Sequence, residues 1–178
     1  MDTPLRSSRT HVIEATCPDA VREQYRTALS HFGSGVVIVT STDDDGSPIG
    51  MTVGSFSSIS MEPPLVGFFA AHTSTTLPGI LGRGTFCVNV LAESQHALAR
   101  SFARTGADKF AGVEWTPDAA GSPRLADAHA WIGCTLDVRT SIGDHDLVVG
   151  AVDTLVIPTE SDPLLFHRSM FHGLRPTR

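Results

Sequence analysis

Two long strand patterns joined by almost nothing restrict this fold most. AWIGCTLDVRTSI (130–142) and HDLVVGAVDTLVIP (145–158) are rich in β-branched and apolar residues, and only Gly143-Asp144 lies between them. A Gly-containing two-residue loop is hairpin chemistry, because turns that match strand twist require positive φ. The two segments therefore pair antiparallel, and such a hairpin needs other elements to cover its apolar face.

The rest of the chain supplies them. Pro18 and Asp19 open a helical pattern, Val21, Tyr25, Ala28, Leu29 and Phe32 recur at helical spacing, and Gly33 stops the run, predicting a helix over 18–31. VVIVTST (36–42), the turn DDDG (43–46) and PIGMTVGSFSSIS (48–60) read as a second hairpin. Pro63 and Pro64 separate it from LVGFF (65–69), a further strand, and TFCVNVL (85–91) is another. Leu77 to Leu81 and residues 93–103 read as short helices. Residues 105–130 are crowded with Gly, Pro, Asp and Ala and read as loop with short strands. PLLFHR (163–168) is expected to close the sheet. Many strands, two or three short helices and few βαβ spacings predict a mainly β fold, an antiparallel barrel.

At 178 residues the chain suits a flexible tail (1–17) and one domain (18–178). A domain of that size buries roughly 70% of its unfolded surface, so it needs no disulfide or metal staple. With 41% apolar and 18% charged residues the composition is globular. The net charge of −6, without any basic run, argues against nucleic acid and anionic membranes as partners. Cys17, Cys87 and Cys134 are odd in number and form no C-x-x-C pair, which argues against a disulfide framework or a metal site. The N-terminus has no apolar signal region, and the longest apolar stretch, Leu65 to Ala71, is far too short to span a bilayer. A cytoplasmic protein with reduced thiols is expected.

Several segments carry chemistry. FGSGVV (32–37) has a G-x-G, but Ile38 occupies the third glycine position and the glycines follow a helix, so it is not a dinucleotide fingerprint. It is either a helix C-cap entering a strand or a backbone approached closely by a flat ligand. TVGSFSSIS (52–60) has hydroxyls at Thr52, Ser55, Ser57, Ser58 and Ser60, either a wet strand face or a surface for an aromatic ring system. In HTSTT (72–76), Thr73 to Thr76 precede a helix start and act as caps or as part of an anion site. His145 follows the hairpin turn directly. Asn89, the only asparagine, lies in an apolar strand. G-x-S-x-G and H-E-x-x-H are absent. A site of backbone, hydroxyls and one histidine suits hydride transfer between two bound cofactors better than hydrolysis.

FGSGVVIVTS (32–41), SFSSISMEPPLV (55–66), GTFCVNVL (84–91), DKFAGVEW (108–115), GDH (143–145) and PLLFHRSMFHG (163–173), in this order, give the chain its resemblance to the short-chain flavin reductases of two-component flavin-dependent monooxygenases. The resemblance runs from about residue 24 to 174. It implies an FMN-binding split β-barrel homodimer in which NADH or NADPH reduces FMN or FAD for a partner monooxygenase. A flavin-binding sensor or carrier without nicotinamide turnover is the alternative within the same fold.

The resemblance also implies residue roles. Gly33, Ser34, Gly35, Val36 and Val37, with Thr52, Val53, Gly54, Ser55, Phe56 and Ser57, match the segments that hold the flavin ring and its chain. Ser74 and Thr75 match the region near the flavin phosphate. Cys87, Val88 and Asn89 match a second flavin-facing strand. Ser101, Phe102 and Ala103 match a helix end over the cofactor's tail, followed by Lys109 and Phe110. His145 matches the histidine facing the nicotinamide, flanked by Phe166, His167, Arg168 and Phe171. Where the family commonly has Tyr and then Arg-Gly, this chain has His167-Arg168-Ser169. No Lys, Cys or His lies between Thr52 and Ser57, so non-covalent binding is expected there, with Ser55 and Ser57 on one strand face.

Overall fold

A computed structural model describes residues 18–106, 108–157 and 161–174; the expected tail 1–17 lies outside the described residues. In chain order come α1 (Pro18–Ser30), β1 (Ser34–Gly35), β2 (Val37–Thr42), β3 (Pro48–Val53), β4 (Ser57–Met61), β5 (Pro64–Ala71), α2 (Leu77–Arg83) and β6 (Thr85–Val90). A 3-10 turn (Glu93–Gln95) leads into α3 (His96–Phe102), then β7 (Trp115–Pro117), β8 (Pro123–Leu125), β9 (Ala130–Ile142), β10 (His145–Val156), β11 (Leu165–His167) and β12 (Met170–His172).

The long hairpin forms as its sequence requires. β9 and β10 pair antiparallel, and Gly143 alone carries positive φ (63°) in the turn, the II′ pattern. They sit inside a seven-stranded sheet of order β3-β2-β6-β9-β10-β5-β4. β3 and β4 follow each other in the chain yet occupy opposite edges, so the sheet must curl for three residues to join them. The 48–60 segment is therefore two strands, interrupted at Gly54-Ser55-Phe56. A side chain stitches the curl: Ser55 Oγ accepts the Phe69 N–H at 2.9 Å and donates to the Phe69 carbonyl at 3.1 Å. This is the split of an antiparallel barrel, closed by a hydroxyl instead of a ladder.

β2 explains why VVIVTST is continuous rather than alternating, since all six of its strand residues are buried. Val37 and Val39 face the barrel core with Phe68, Phe86 and Val148. Val36 and Ile38 face a second cluster with Ala99, Phe102, Leu125 and Leu164. Layers on both faces require apolar residues at both parities. That second cluster glues α3 to the barrel and so fixes one wall of the site.

PLLFHR does not close the main sheet. β11 pairs with β1 and β12 in a separate three-stranded sheet, because Leu164 is held between Val36 and Leu91 by backbone hydrogen bonds of 3.1 and 2.8 Å. Among the described residues no helix is long and apolar enough to cross a membrane.

Candidate functional site

Two adjoining cavities meet at the end of β3. One, of about 330 Å³, is walled by Thr52–Gly54, the Thr73–Thr76 loop, the end of α3, Lys109 and His145. The other, of about 510 Å³, lies between α3 and the β11–β12 hairpin, with Val36, Arg100, Phe166 and Phe171 on its walls. Thr52, Gly54, Ala103 and Arg104 belong to both.

Local chemistry sets each wall. Thr52 Oγ1 donates to the Ala99 carbonyl at 2.7 Å, pinning β3 to α3. At Gly54 an added methyl carbon would lie 3.3 Å from Ser34 Oγ, so the bare backbone leaves the junction of the cavities open. At Gly50 an added carbon would lie 2.7 Å from the Phe102 ring, which explains a glycine in mid-strand under α3. Ser74 Oγ accepts the N–H groups of Thr76 (3.3 Å) and Leu77 (3.2 Å), so this hydroxyl serves the start of α2. Lys109 Nζ donates to the Gly50 carbonyl at 2.9 Å and to Thr76 Oγ1 at 3.4 Å. Both partners are neutral, and partial burial lowers the lysine's pKa. Among the described residues no carboxylate pairs with this cation, which makes this end of the cavity attractive to an anion.

The II′ turn delivers His145 as the first residue of β10, opposite Ala71 of β5. Its Nδ1 lies 2.7 Å from Asp144 Oδ1, and that hydrogen bond lowers the aspartate's pKa. The imidazole is thereby oriented while remaining 43% exposed on the cavity rim.

The fold brings Thr52, Val53, Gly54, Ser74, Thr75, Phe102, Ala103, Lys109 and His145 together around the hydroxyl-lined cavity. Val36, Phe166 and Phe171 join Thr52, Gly54 and Ala103 around the other. Ser34 flanks Gly54, while Gly33 and Gly35 run alongside in and before β1. Other expected residues stand elsewhere. Val37 is in the barrel core, and Phe56 packs against it. Ser55 and Ser57 do not share a strand face, since Ser55 stitches the split and Ser57 opens β4. Cys87, Val88 and Asn89 are fully buried in mid-sheet and line neither cavity. Burial pushes the Cys87 thiol up to about 12. Ser101 lines neither cavity. Phe110 packs edge-on against Phe102, with ring centroids 5.0 Å apart. The His167 ring lies beside that of His172, and the Arg168 N–H donates to the Ser30 carbonyl at 2.7 Å.

Thr73 was legible as a cap or anion-site hydroxyl, whereas Phe69, Arg100, Arg104 and Ser169, which also line the cavities, were not singled out from the sequence. Arg100 in α3 and Arg104, two residues past its end, are four apart in LARSFAR, a spacing that a continued helix would put on one side. Arg100 is held over the Phe171 ring at 5.1 Å.

A barrel split at its serine stitch thus opens two joined cavities lined by hydroxyls, basic side chains and a half-exposed histidine. The flavin reductase like domain matches residues 29–175, and the chain belongs to that family. It is 43% identical over 155 residues to the reductase subunit HsaB of a flavin-dependent monooxygenase from Rhodococcus jostii (strain RHA1), covering 87% of this chain and 79% of that protein. Nitrilotriacetate monooxygenase component B from Mycobacterium thermoresistibile superposes with a TM-score of 0.86 at 35% identity, covering 90% of each chain. The Streptomyces globisporus C-1027 NADH:FAD oxidoreductase SgcE6, solved in complex with NAD and FAD fragments, gives 0.84 at 32% identity, covering 92% of this chain and 98% of that one.

The residues present fit a flavin. Gly54 offers bare backbone to a ring, Thr52 and the Thr73–Thr76 hydroxyls offer hydrogen bonds, and Lys109 and Arg104 offer positive charge.

Proposed function

We propose that this flavin reductase takes a hydride from NADH or NADPH to FMN or FAD, binds the flavin non-covalently in the hydroxyl-lined cavity, and supplies reduced flavin to a separate monooxygenase. The observation that carries this reading is the shared wall: two cavities meet at Gly54, so two flat ligands can lie in contact there with little protein between them. A bound flavin supplies the two-electron acceptor chemistry. The chain's own residues bind, orient and exclude water. Thr52 and Gly54 set the ring platform. Lys109 and the hydroxyl loop receive the phosphate end. His145, oriented by Asp144, positions the nicotinamide and is not a proton relay in the reaction. Neutral hydrogen bonds of roughly 0.5–1.5 kcal/mol net each suit a cofactor that must also depart. A carrier that never turns over nicotinamide would need neither His145 on the rim nor the aromatic hairpin of Phe166 and Phe171.

The working unit in this proposal is a homodimer in the cytoplasm. Tyr25, Leu29 and Phe32 on and just after α1 are 62%, 51% and 77% exposed, and Leu155 and Ile157 at the end of the long hairpin are 68% and 78% exposed. Apolar surface of that kind favours a second subunit. Cys87 and Cys134 are free thiols, consistent with a reducing compartment. Steady-state oxidation of NADH and NADPH with FMN, FAD and riboflavin tests the reaction. Turnover with at least one pair is expected, and none with any pair defeats the proposal.

A further inference from the structure

Asp146 is the one buried charged side chain among the described residues, at 1% exposure. It is the neighbour of His145 on β10, and the alternation of a strand sends the two side chains to opposite faces. Arg139 on β9 donates to Asp146 Oδ2 through Nε (3.1 Å) and Nη2 (2.8 Å). Ser141 on the same strand donates to Oδ1 at 2.6 Å, and His72 Nε2 lies 3.3 Å from Oδ1. The partners thus come from β9 and from the residue just after β5. His72 is tied a second time, its N–H donating to the Asp144 carbonyl at 3.0 Å. The joint therefore fixes the Gly143-Asp144 turn against the segment that continues into Thr73–Thr76. An apolar residue would fill a strand interior without the desolvation cost of a charge. A carboxylate held by three side chains from two other segments instead fixes where those segments stand relative to one another.

We propose that Asp146 is the positioning residue for His145: by clamping β9, β10 and the end of β5 together behind the site, it holds the imidazole at the place where the nicotinamide is received. The inference rests on the reading of His145 given above.

A double-mutant cycle tests it. Asp146→Asn keeps the shape and removes the charge. In the full chain it should raise the KM for the nicotinamide about three- to tenfold, with kcat moving less than KM and the flavin Kd within about twofold, because only the orienting contact is loosened. In a His145→Ala background the same substitution should add nothing to KM. Ser141→Ala removes the 2.6 Å bond and leaves the Arg139 pair in place. It should act in the same direction and more weakly, which keeps the test open if Asp146→Asn fails to fold. A lowered Tm with unchanged KM in these variants, or an equal KM rise with and without His145, makes the cluster merely structural and overturns the proposal alone. Wild-type protein that turns over no nicotinamide, or His145→Ala with unaltered KM, overturns the underlying reading and this proposal with it.

Discussion

Replacing Asn89 separates a structural amide from a cofactor contact. The resemblance to flavin reductases implies that Asn89 faces the flavin, but its side chain is fully buried in mid-sheet. Its Nδ2 donates to the Ile38 carbonyl at 3.0 Å and to Thr40 Oγ1 at 2.9 Å, and its Oδ1 accepts the Leu125 N–H at 2.7 Å. One amide thus ties β6 to β2 and to β8. Asn89→Leu keeps the volume and removes these bonds, with two longer ones from Nδ2 to the Cys87 and Pro123 carbonyls at 3.4 Å. The stranded Leu125 N–H costs about 2 kcal/mol, and the lost donor bonds add about 1 kcal/mol, for a destabilisation of about 3 kcal/mol. In a domain of this size that lowers Tm by about 6–12 °C. Thermal unfolding followed by far-UV circular dichroism, beside a flavin titration at low temperature, reads both quantities. The flavin Kd should stay within about twofold while Tm falls. A Tm change below about 2 °C, or a flavin affinity lost about tenfold (about 1.4 kcal/mol) in a protein of unaltered stability, would refute the structural assignment.

Gly54→Val should lower flavin affinity about tenfold or more by filling the junction of the cavities, with little loss of Tm, since Gly54 has no positive φ; equilibrium flavin binding checks it. Ser169 sits at φ 61° in the β11–β12 turn, where a side chain is strained. Ser169→Gly should therefore raise stability by about 0.5–1 kcal/mol, seen as a Tm increase of a few degrees. Cys87 and Cys134 keep their protons up to about 12 in the folded protein, against 9.0 for a free thiol. Unfolding therefore releases protons above pH 9.0, so stability should fall as pH rises from there toward about 12, and both thiols should resist alkylation at pH 8 until denaturant is added, as peptide mapping will show.

The elements were legible wherever one residue pattern has one physical solution. Gly143-Asp144 between two long β runs admits only a hairpin, and the continuous β-branched run VVIVTST reads as a strand, whose burial on both faces the structure adds. The break at Gly54-Ser55-Phe56 was not legible, because loose alternation continues straight through it. What ends β3 is the curl of the sheet, and Ser55 becomes a stitch only when Phe69 arrives from another strand. Thr52, Gly54, Ser74, Lys109 and His145, far apart in the sequence, line one cavity. Asn89 and Cys87 were matched to the site by resemblance of a strand, yet which face a mid-sheet residue presents depends on the layer packed against it, here β8. Arg100 and Arg104 carried a helical spacing signal. Phe69 carried none that separates it from Phe68, which is fully buried while Phe69 is 43% exposed.

Anaerobic mixing of NADH or NADPH with flavin-loaded protein, followed by loss of the flavin's visible absorbance, is the most direct test of hydride transfer at the joined cavities. Wild-type protein should bleach the flavin at a rate that saturates with nicotinamide concentration. His145→Ala should need a higher concentration to saturate, while holding its flavin as tightly. Flavin that bleaches no faster with the protein than free in solution, or a His145→Ala variant that loses flavin but is reduced normally once loaded, would contradict the assignment.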